Sequence, residues 1–506
     1  MIRRPDPELI ARWAPLLLGI TSAVMVWWVW GSLNQIPNIS DEAAYLFQAR
    51  LFAQGRWTGP PRPLPEFFEQ WFILPSPATA SKYYPGQSMT LVPGVLLGIA
   101  GLMPVLLTAL AGALVFVVAR RVAGPWVGLL AWAIWISAPA NLEWRASYYS
   151  EVTTSTLLLA AWWALLRWRD SEHDRWLLLL ALCLSWGAIT RPLTMLALAI
   201  PIGVFVLKEV SRRAVWDHLT LAFLLGCLVL AIVPLWSQRT TGHWSTTPLS
   251  LYTRTYLPFD RIGFGLGASD TLPPLPRDMN WLAEHFRRLH VEYRITDVPT
   301  TLLVRAAGVG RDMWEGWRLV LLPFALFGLL AGPREGRFAL VACLLLLGAY
   351  LPYAYPAFWS VYYLEALPVL AFLSAAGIWW VTGRQEGWIG AALAGAVLLA
   401  MLPFAVPDLS RARSRKQEYL SEQRGFRDKL AALPQRSIVF VRYGPEHNIN
   451  WYLVRNEADL DTARVWVVHD LGRENARLIE LAPQRAPFLY DEGLGVITPL
   501  HTTPKR

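Results

Sequence analysis

Long apolar blocks alternate with polar segments along most of the 506-residue chain. A helix needs roughly 20 apolar residues to cross the hydrocarbon core of a bilayer, and several blocks approach that length. The pattern therefore predicts an all-α polytopic membrane protein with about eleven spans. The predicted spans cover residues 14–33, 103–119, 125–141, 152–168, 175–190, 192–207, 217–236, 317–332, 338–355, 363–381 and 388–406.

The block at 88–102 is also apolar, but Pro93 and Gly94 interrupt it. Loop charge indicates whether it spans, because Lys and Arg concentrate in short cytoplasmic loops. If the block does not span and the N-terminus lies inside, the basic short loops all lie inside as well. The run "SRARSRK" (410–416) would then lie outside, where charge in a long translocated segment orients a protein only weakly. The residues placed inside are Arg120, Arg121, Arg167, Arg169, Arg175, Lys208, Arg212, Arg213, Arg334, Arg337 and Arg384.

This topology puts three polar regions on the outer side of the membrane: 34–87, 237–316 and the tail 407–506. In the tail, "SIVFVRY" and "ARVWVVHD" are typical of strands, while "RKQEYLSEQRGFRDKLAAL" and "GRENARLIELAP" have helical spacing. We therefore predict a transmembrane domain over 1–406 and a small extracytoplasmic α/β domain over 407–506. The tail contains no nucleotide-binding loop.

Composition narrows the class of protein further. Hydrophobic residues make up 54% of the chain and charged residues only 16%, whereas soluble domains carry about a quarter. The net charge of +9 is explained by the short basic loops, so nucleic acid is not an expected partner. The three cysteines lie in apolar blocks and are expected to be buried small residues. The Arg-rich and Trp-rich usage predicts a bacterial inner-membrane protein whose outer regions face the periplasm.

The first outer region begins with "NISDEAAYLFQARLFAQG", which contains the adjacent acids Asp41 and Glu42. The stretch predicts a short helix from Ser40 or Asp41 to Gly55. Helical spacing places Asp41, Tyr45, Gln48 and Phe52 on one face, and Glu42 points about a quarter-turn away. Spacing alone leaves two interpretations open. Asp41 either caps the helix or is a catalytic carboxylate that the helix dipole keeps ionised.

Several segments resemble the GT-C membrane glycosyltransferases. "ISDEAAYLFQARLFAQGRW" followed by "SKYYPGQSMTLVPGVLLGIAGL" looks like the start of the branch containing protein O-mannosyltransferases and lipid A aminoarabinose transferases. "LVFVVARRVAG", "WGAITRPLTMLALAIP", "TGHWSTTPLSLYTRTYLPFDRIGFG" and "VYYLEALPVLAFLSAAG" resemble later segments of the same branch, in the same order. The resemblance covers most of residues 35–380. It implies a GT-C fold with an acidic pair in the first outer loop.

The resemblance also implies a reaction. Members of this family move one sugar from a polyprenyl-phosphate carrier to an acceptor hydroxyl on the outer side, with inversion at the anomeric carbon. Asp41 would be the base, with Glu42 orienting the site. Lys82 and then Arg191 would bind the donor phosphate, because each places a cation where a lipid phosphate could meet it. The expected donor is of the undecaprenyl-phosphate type, and the acceptor is a glycan, a lipid or a protein.

Five further residues are candidates for contact with substrate. Arg145 and Glu151 flank an outer turn and either contact substrate or pair with each other. Tyr45, Tyr83 and Tyr84 either stack on sugars or belong to an interfacial aromatic belt. No His or Cys spacing demands a metal, so no cofactor is required. Some enzymes of the superfamily use a divalent cation, so an Asp-bound metal stays open.

Three other functions are compatible with a polytopic chain of this kind. A lipid-linked glycan transporter or flippase would place Arg191 on a substrate path and usually shows repeated halves, of which the sequence has no sign. An oligosaccharide ligase or polymerase would use the same carrier but transfer whole glycans. A non-catalytic assembly protein would use the tail to bind a partner.

Overall fold

The computed structural model describes residues 7–213, 216–434, 436–447 and 452–500. Within them helices predominate, as the apolar periodicity predicted. The helices are α1 Pro7–Trp30, α2 Ser40–Ala53, α3 Pro85–Leu96, α4 Leu102–Ala123, α5 Pro125–Ile136, α6 Pro139–Arg145, α7 Ser150–Ser171, α8 Asp174–Ala188, α9 Pro192–Arg213, α10 Asp217–Leu230, α11 Ile232–Thr241, α12 Pro248–Tyr256, α13 Arg277–Glu292, α14 Val298–Trp314, α15 Leu322–Ala331, α16 Arg334–Ala349, α17 Leu367–Val381, α18 Gly387–Ala431 and α19 Asn475–Leu481.

Two small sheets complete the described part of the chain. Strands β1 Ile73–Leu74 and β2 Ala80–Ser81 form an antiparallel pair. The second sheet has the order β4-β3-β5-β6, with β3 parallel to β4 and β5, and β6 antiparallel to β5. Its strands are β3 Ser437–Arg442, β4 Val465–His469, β5 Ala486–Asp491 and β6 Val496–Pro499.

The chain forms two compact units. The helical unit contains the residues up to Gln35 together with Gly101–Ile232 and Ile295–Gln417. The mixed unit contains Ile36–Ala100, Val233–Arg294 and the residues from Glu418 onward. The mixed unit thus draws on all three polar regions that the sequence analysis placed on one side of the membrane, and the side itself stays a prediction.

Helices lie at all eleven predicted span positions. Within the described residues, six helices are long and apolar enough to cross a membrane, and seven if a pair bent by 104° counts as one span. The number eleven stays a prediction, because several helices at predicted spans are shorter, such as α5 with 12 residues. The block at 88–102 corresponds to α3, whose 12 residues extend about 18 Å and fall short of a hydrocarbon core of about 30 Å.

The mixed unit has a core to which each of its three segments contributes. Val439 and Val467 of the larger sheet pack in one buried cluster with Tyr252 and Phe259 from the middle segment and Trp71 from the first. The strands predicted at "SIVFVRY" and "ARVWVVHD" and the helices predicted beside them are confirmed. Helix α18 runs through position 407 without a break. The residues from Glu418 onward belong to the same compact unit as the segments Ile36–Ala100 and Val233–Arg294 and share a core with them.

Candidate active site

Helix α2 carries the acidic pair and begins at Ser40, as predicted. It ends at Ala53, and Gly55 follows with φ of +72°, a conformation that glycine adopts without strain. The N-cap residue is Ile39, which has extended backbone and no side-chain cap. Asp41 therefore lies in the first turn and is not the N-cap residue.

The two adjacent acids lie in different surroundings. Glu42 is 1% exposed, and its Oε2 accepts a hydrogen bond from the backbone N–H of Asn38 (3.2 Å). This bond ties the first turn of α2 to Asn38, which lies one position before the N-cap residue Ile39. Asp41 is only partly buried and accepts a hydrogen bond from the Tyr83 hydroxyl. The two adjacent carboxylates therefore have different partners, since Glu42 bonds the backbone ahead of the helix and Asp41 bonds Tyr83.

The predicted face of α2 packs on the segment that carries Lys82. Besides the hydrogen bond between Tyr83 and Asp41, the rings of Tyr45 and Tyr83 lie 4.7 Å apart. Gln48 accepts a hydrogen bond from the backbone N–H of Ser81 (3.1 Å). Three of the four positions that share this face therefore contact residues 81–83. This explains why the helix and the "SKYYPG" segment come together although some 30 residues separate them in the chain.

Lys82 lies directly after β2 and is 6% exposed. Its backbone N–H donates to the Phe72 carbonyl (2.9 Å), and its Nζ is 3.9 Å from the centroid of the Phe72 ring. The rings of Tyr252 and Tyr83 lie 5.1 Å and 5.2 Å from Nζ. Aromatic faces attract a cation but do not neutralise its charge.

The charge of Lys82 has no direct counter-ion among the described residues. The carboxylates of Asp260 and Asp41 attract its ammonium, but neither forms an ion pair with it. Burial lowers the pKa of Lys82 below its usual value, and these two acids oppose the shift. A buried ammonium in this state favours an anionic ligand, because an anion would supply the missing charge.

Tyr84 does not join the group around Asp41. It precedes α3 as its N-cap residue and is partly buried. Burial raises the pKa of Tyr84 above its usual value. Of the three tyrosines that the sequence singled out, Tyr45 and Tyr83 lie together with Asp41, and Tyr84 has a separate environment.

Arg191 lies in the break between α8 and α9, as predicted, and belongs to the helical unit. Its guanidinium forms an ion pair with Glu151, and their side chains are 9% and 8% exposed. It also donates to Tyr350 Oη (3.0 Å) and Thr194 Oγ1 (3.1 Å). Glu151 balances the charge of Arg191, unlike the situation at Lys82.

Arg145 does not form the suggested pair with Glu151. The Arg145 Nε donates to Asn141 Oδ1 (3.0 Å), and its Nη2 donates to Ser155 Oγ (2.9 Å). The guanidinium is fully buried, 4.7 Å from the Trp135 ring centroid. These contacts give Arg145 a structural environment within the helical unit, and its contact with substrate stays a prediction.

Sequence reasoning missed the residues that surround Lys82. Phe72 gave no signal, since an isolated aromatic residue in a loop is common. Tyr252 and Asp260 lie inside "TGHWSTTPLSLYTRTYLPFDRIGFG", a segment noted only for its resemblance to outer loops of the family. Within the described ranges, no group of three His, Cys, Asp or Glu side chains could hold a metal ion.

The comparisons with known proteins bear on the fold. No family model matches the sequence, and no curated protein matches it either. ArnT from Cupriavidus metallidurans bound to undecaprenyl phosphate is similar in structure, with a TM-score of 0.51 and 14% identity over 95% of this chain and 90% of that one. The apo form of the same ArnT gives a TM-score of 0.50 and 12% identity over 95% and 93% of the two chains. The chain therefore shares the fold of ArnT, as the resemblance to the aminoarabinose transferase branch predicted.

Proposed function

We propose that the protein is a glycosyltransferase that moves one sugar from a polyprenyl-phosphate carrier to an acceptor hydroxyl, on the periplasmic side of a bacterial inner membrane. One observation carries the proposal. A partly exposed carboxylate, Asp41, lies on a segment packed against the one that carries the buried ammonium of Lys82, for which the described residues hold no ion-pair partner. Tyr83 is bonded to the first and adjacent to the second. A base and a phosphate-binding cation are the two groups that the transfer requires.

Lys82 is assigned to the donor phosphate. A phosphate oxygen that reaches its Nζ would supply a negative charge beside the ammonium without displacing a protein carboxylate. The fold supports a lipid-linked donor, since the ArnT structure that shares it is bound to undecaprenyl phosphate. Arg191 is the second candidate for this role. Because the carboxylate of Glu151 already balances the charge of Arg191, we expect replacement of Arg191 to affect stability more than donor affinity.

Asp41 is assigned to the acceptor hydroxyl. In the proposed step the acceptor oxygen forms a bond to the anomeric carbon on the face opposite the phosphate, so the centre is inverted. The bond from the anomeric carbon to the phosphate oxygen breaks, and polyprenyl phosphate leaves as an anion beside Lys82. The hydroxyl proton passes to Asp41. General-base catalysis of this kind usually raises the reaction rate about 10²- to 10⁴-fold. Tyr83 holds the carboxylate through its hydrogen bond, and Glu42 fixes the start of α2.

The test is mass spectrometry of envelope glycans and glycolipids from cells with the gene, without it, and with an Asp41→Asn variant. We expect one product that carries a single added sugar and is lost in both the deletion and the variant. Asp459→Asn is the matched control. Asp459 lies in the same unit, forms a long ion pair with Arg56 (4.0 Å) and has no proposed role in the reaction. Treatment of isolated membranes with a chelator shows whether a divalent cation is needed.

Three outcomes would contradict the proposal. If the Asp41→Asn strain keeps the full product, the base is wrongly assigned. If the product persists in all strains and only its side of the membrane changes, the protein is a transporter. A product that gains a whole oligosaccharide would indicate a ligase.

A further inference from the structure

Two side chains from the C-terminal part of the mixed unit bind the turn that precedes α2. Arg455 Nη1 donates to the Pro37 carbonyl (2.8 Å) and to Gln423 Oε1 (3.2 Å). Gln423 Nε2 donates to the Asn38 carbonyl (2.7 Å). Both backbone carbonyls of the turn are therefore bound by side chains that lie more than 380 residues later in the chain.

The same turn is tied to the acidic pair from its other end. The Asn38 N–H donates to Glu42 Oε2 (3.2 Å), and Glu42 attracts the positive charge of Arg455. Asp41 precedes Glu42 directly, so its position depends on how the first turn of α2 is fixed. The first backbone N–H groups of a helix have no partners within the helix, and this end is where fraying begins. A turn held at both ends restricts that fraying.

Residues next to Arg455 continue the contact along α2. Ala458 is buried in one cluster with Ala44 and Leu51 of the helix. Glu457 forms an ion pair with Arg50 (2.8 Å) near the other end of α2, where both side chains are about half exposed. An exposed pair contributes little to stability. The specific fixation therefore comes from Arg455 and Gln423 at the start of the helix.

We infer that Arg455 and Gln423 are positioning residues that set the location of Asp41 by fixing the Pro37–Asn38 turn. This gives the tail a role in the reaction without contact between the tail and the substrate. The inference rests on the proposed function of Asp41. The competing explanation is that these side chains only stabilise the mixed unit as a whole.

Hydrogen exchange of the full-length protein, purified in lipid nanodiscs, separates the two explanations. The matched control is Arg485→Met, because Arg485 is also buried and donates to backbone carbonyls, those of Leu460 (3.0 Å) and Ala463 (2.9 Å), without touching the turn. Arg455→Met and Gln423→Ala are expected to speed exchange about tenfold in a peptide covering 38–45, as follows from loss of one hydrogen bond. That peptide includes the Ala43 N–H, which donates to Ile39.

Exchange in strands β3 and β4 should stay unchanged in these two variants. Arg485→Met should show the reverse pattern, with faster exchange in the tail and none of the effect at 38–45. The glycan product should fall at least tenfold in the Arg455→Met and Gln423→Ala strains and less than twofold in the Arg485→Met strain.

The inference is overturned if peptide 38–45 exchanges at the wild-type rate in both variants, or if the control speeds it equally. It is also overturned if exchange rises but the product does not fall. An Asp41→Asn strain that keeps its product would instead remove the proposed base. In that case the exchange result would still describe the turn, so the two failures are distinguishable.

Discussion

Replacing Lys82 with methionine tests the proposed donor site most directly. Methionine keeps an unbranched side chain among the rings of Phe72, Tyr83 and Tyr252 and removes the charge. An ammonium and a phosphate about 4 Å apart attract by roughly 4 kcal/mol at an effective dielectric constant near 20. Part of this is lost because Asp41 and Asp260 already attract the ammonium.

The net effect should match that of a charge-assisted hydrogen bond, about 1.5–3 kcal/mol. We therefore expect the Kd for undecaprenyl phosphate to rise about 10- to 150-fold in Lys82→Met. The assay is binding of undecaprenyl phosphate to the purified protein in nanodiscs, measured by native mass spectrometry. Neutral undecaprenol serves as the second ligand, and its affinity should not change.

Lys429→Met is the matched control for this prediction. Lys429 is also a lysine of the mixed unit near a tyrosine, with Nζ 5.8 Å from the Tyr490 ring, but it is exposed and donates to the Gly495 carbonyl (2.5 Å). It should leave both affinities unchanged. The assignment of Lys82 to the phosphate is refuted if folded Lys82→Met binds undecaprenyl phosphate within threefold of the wild type, or if undecaprenol binding falls equally.

Three further variants test other parts of the structure. Tyr83→Phe removes the hydrogen bond to Asp41 and should lower product formation about 10-fold or more, measured by mass spectrometry of the glycan product, with an unchanged melting temperature. Burial and nearby carboxylates raise the pKa of Glu69 to about 7, so the folded state binds its proton more tightly than the unfolded state. The free energy of unfolding should therefore fall as pH rises from about 4.5 to about 7, and Glu69→Gln should remove that fall, measured by thermal unfolding across this range. Glu151→Gln leaves the buried Arg191 without its ion-pair partner and should cost about 3–5 kcal/mol of stability, whereas the double variant with Arg191→Met should recover most of it.

Local patterns predicted α2 and its contacts well. Helical spacing alone placed Asp41, Tyr45 and Gln48 on one face, and that face packs on residues 81–83. The separate direction of Glu42 also followed from spacing. The hydrogen-bond partner of Glu42 did not follow from spacing, because the bond from the Asn38 N–H depends on the conformation of residues 38 and 39 and not on residue type alone.

Contacts between distant segments could not be read from one sequence. Arg145 and Glu151 are close in the chain and opposite in charge, yet Glu151 pairs with Arg191, some 40 residues away. Such pairing is set by how helices pack, and packing leaves no periodic signal. The ring cluster around Lys82 was missed for the same reason, since Phe72 and Tyr252 are separated by 180 residues.

The number of membrane spans could not be predicted for a different reason. A span shorter than roughly 20 residues has the same apolar composition as a buried helix, so α5 is ambiguous by sequence and by structure alike. The three polar regions were easier to group, since loop charge constrains the side of each loop.

Phe72 binds Lys82 twice, through its carbonyl to the backbone and through its ring to the ammonium. Both contacts cross the same two-stranded hairpin, so a shift of the hairpin carries the cation and its aromatic support together. An aliphatic residue in place of Phe72 should then not be tolerated in evolution, because it would remove the aromatic face beside the ammonium. Natural variation in this protein's relatives should accordingly spare that one ring.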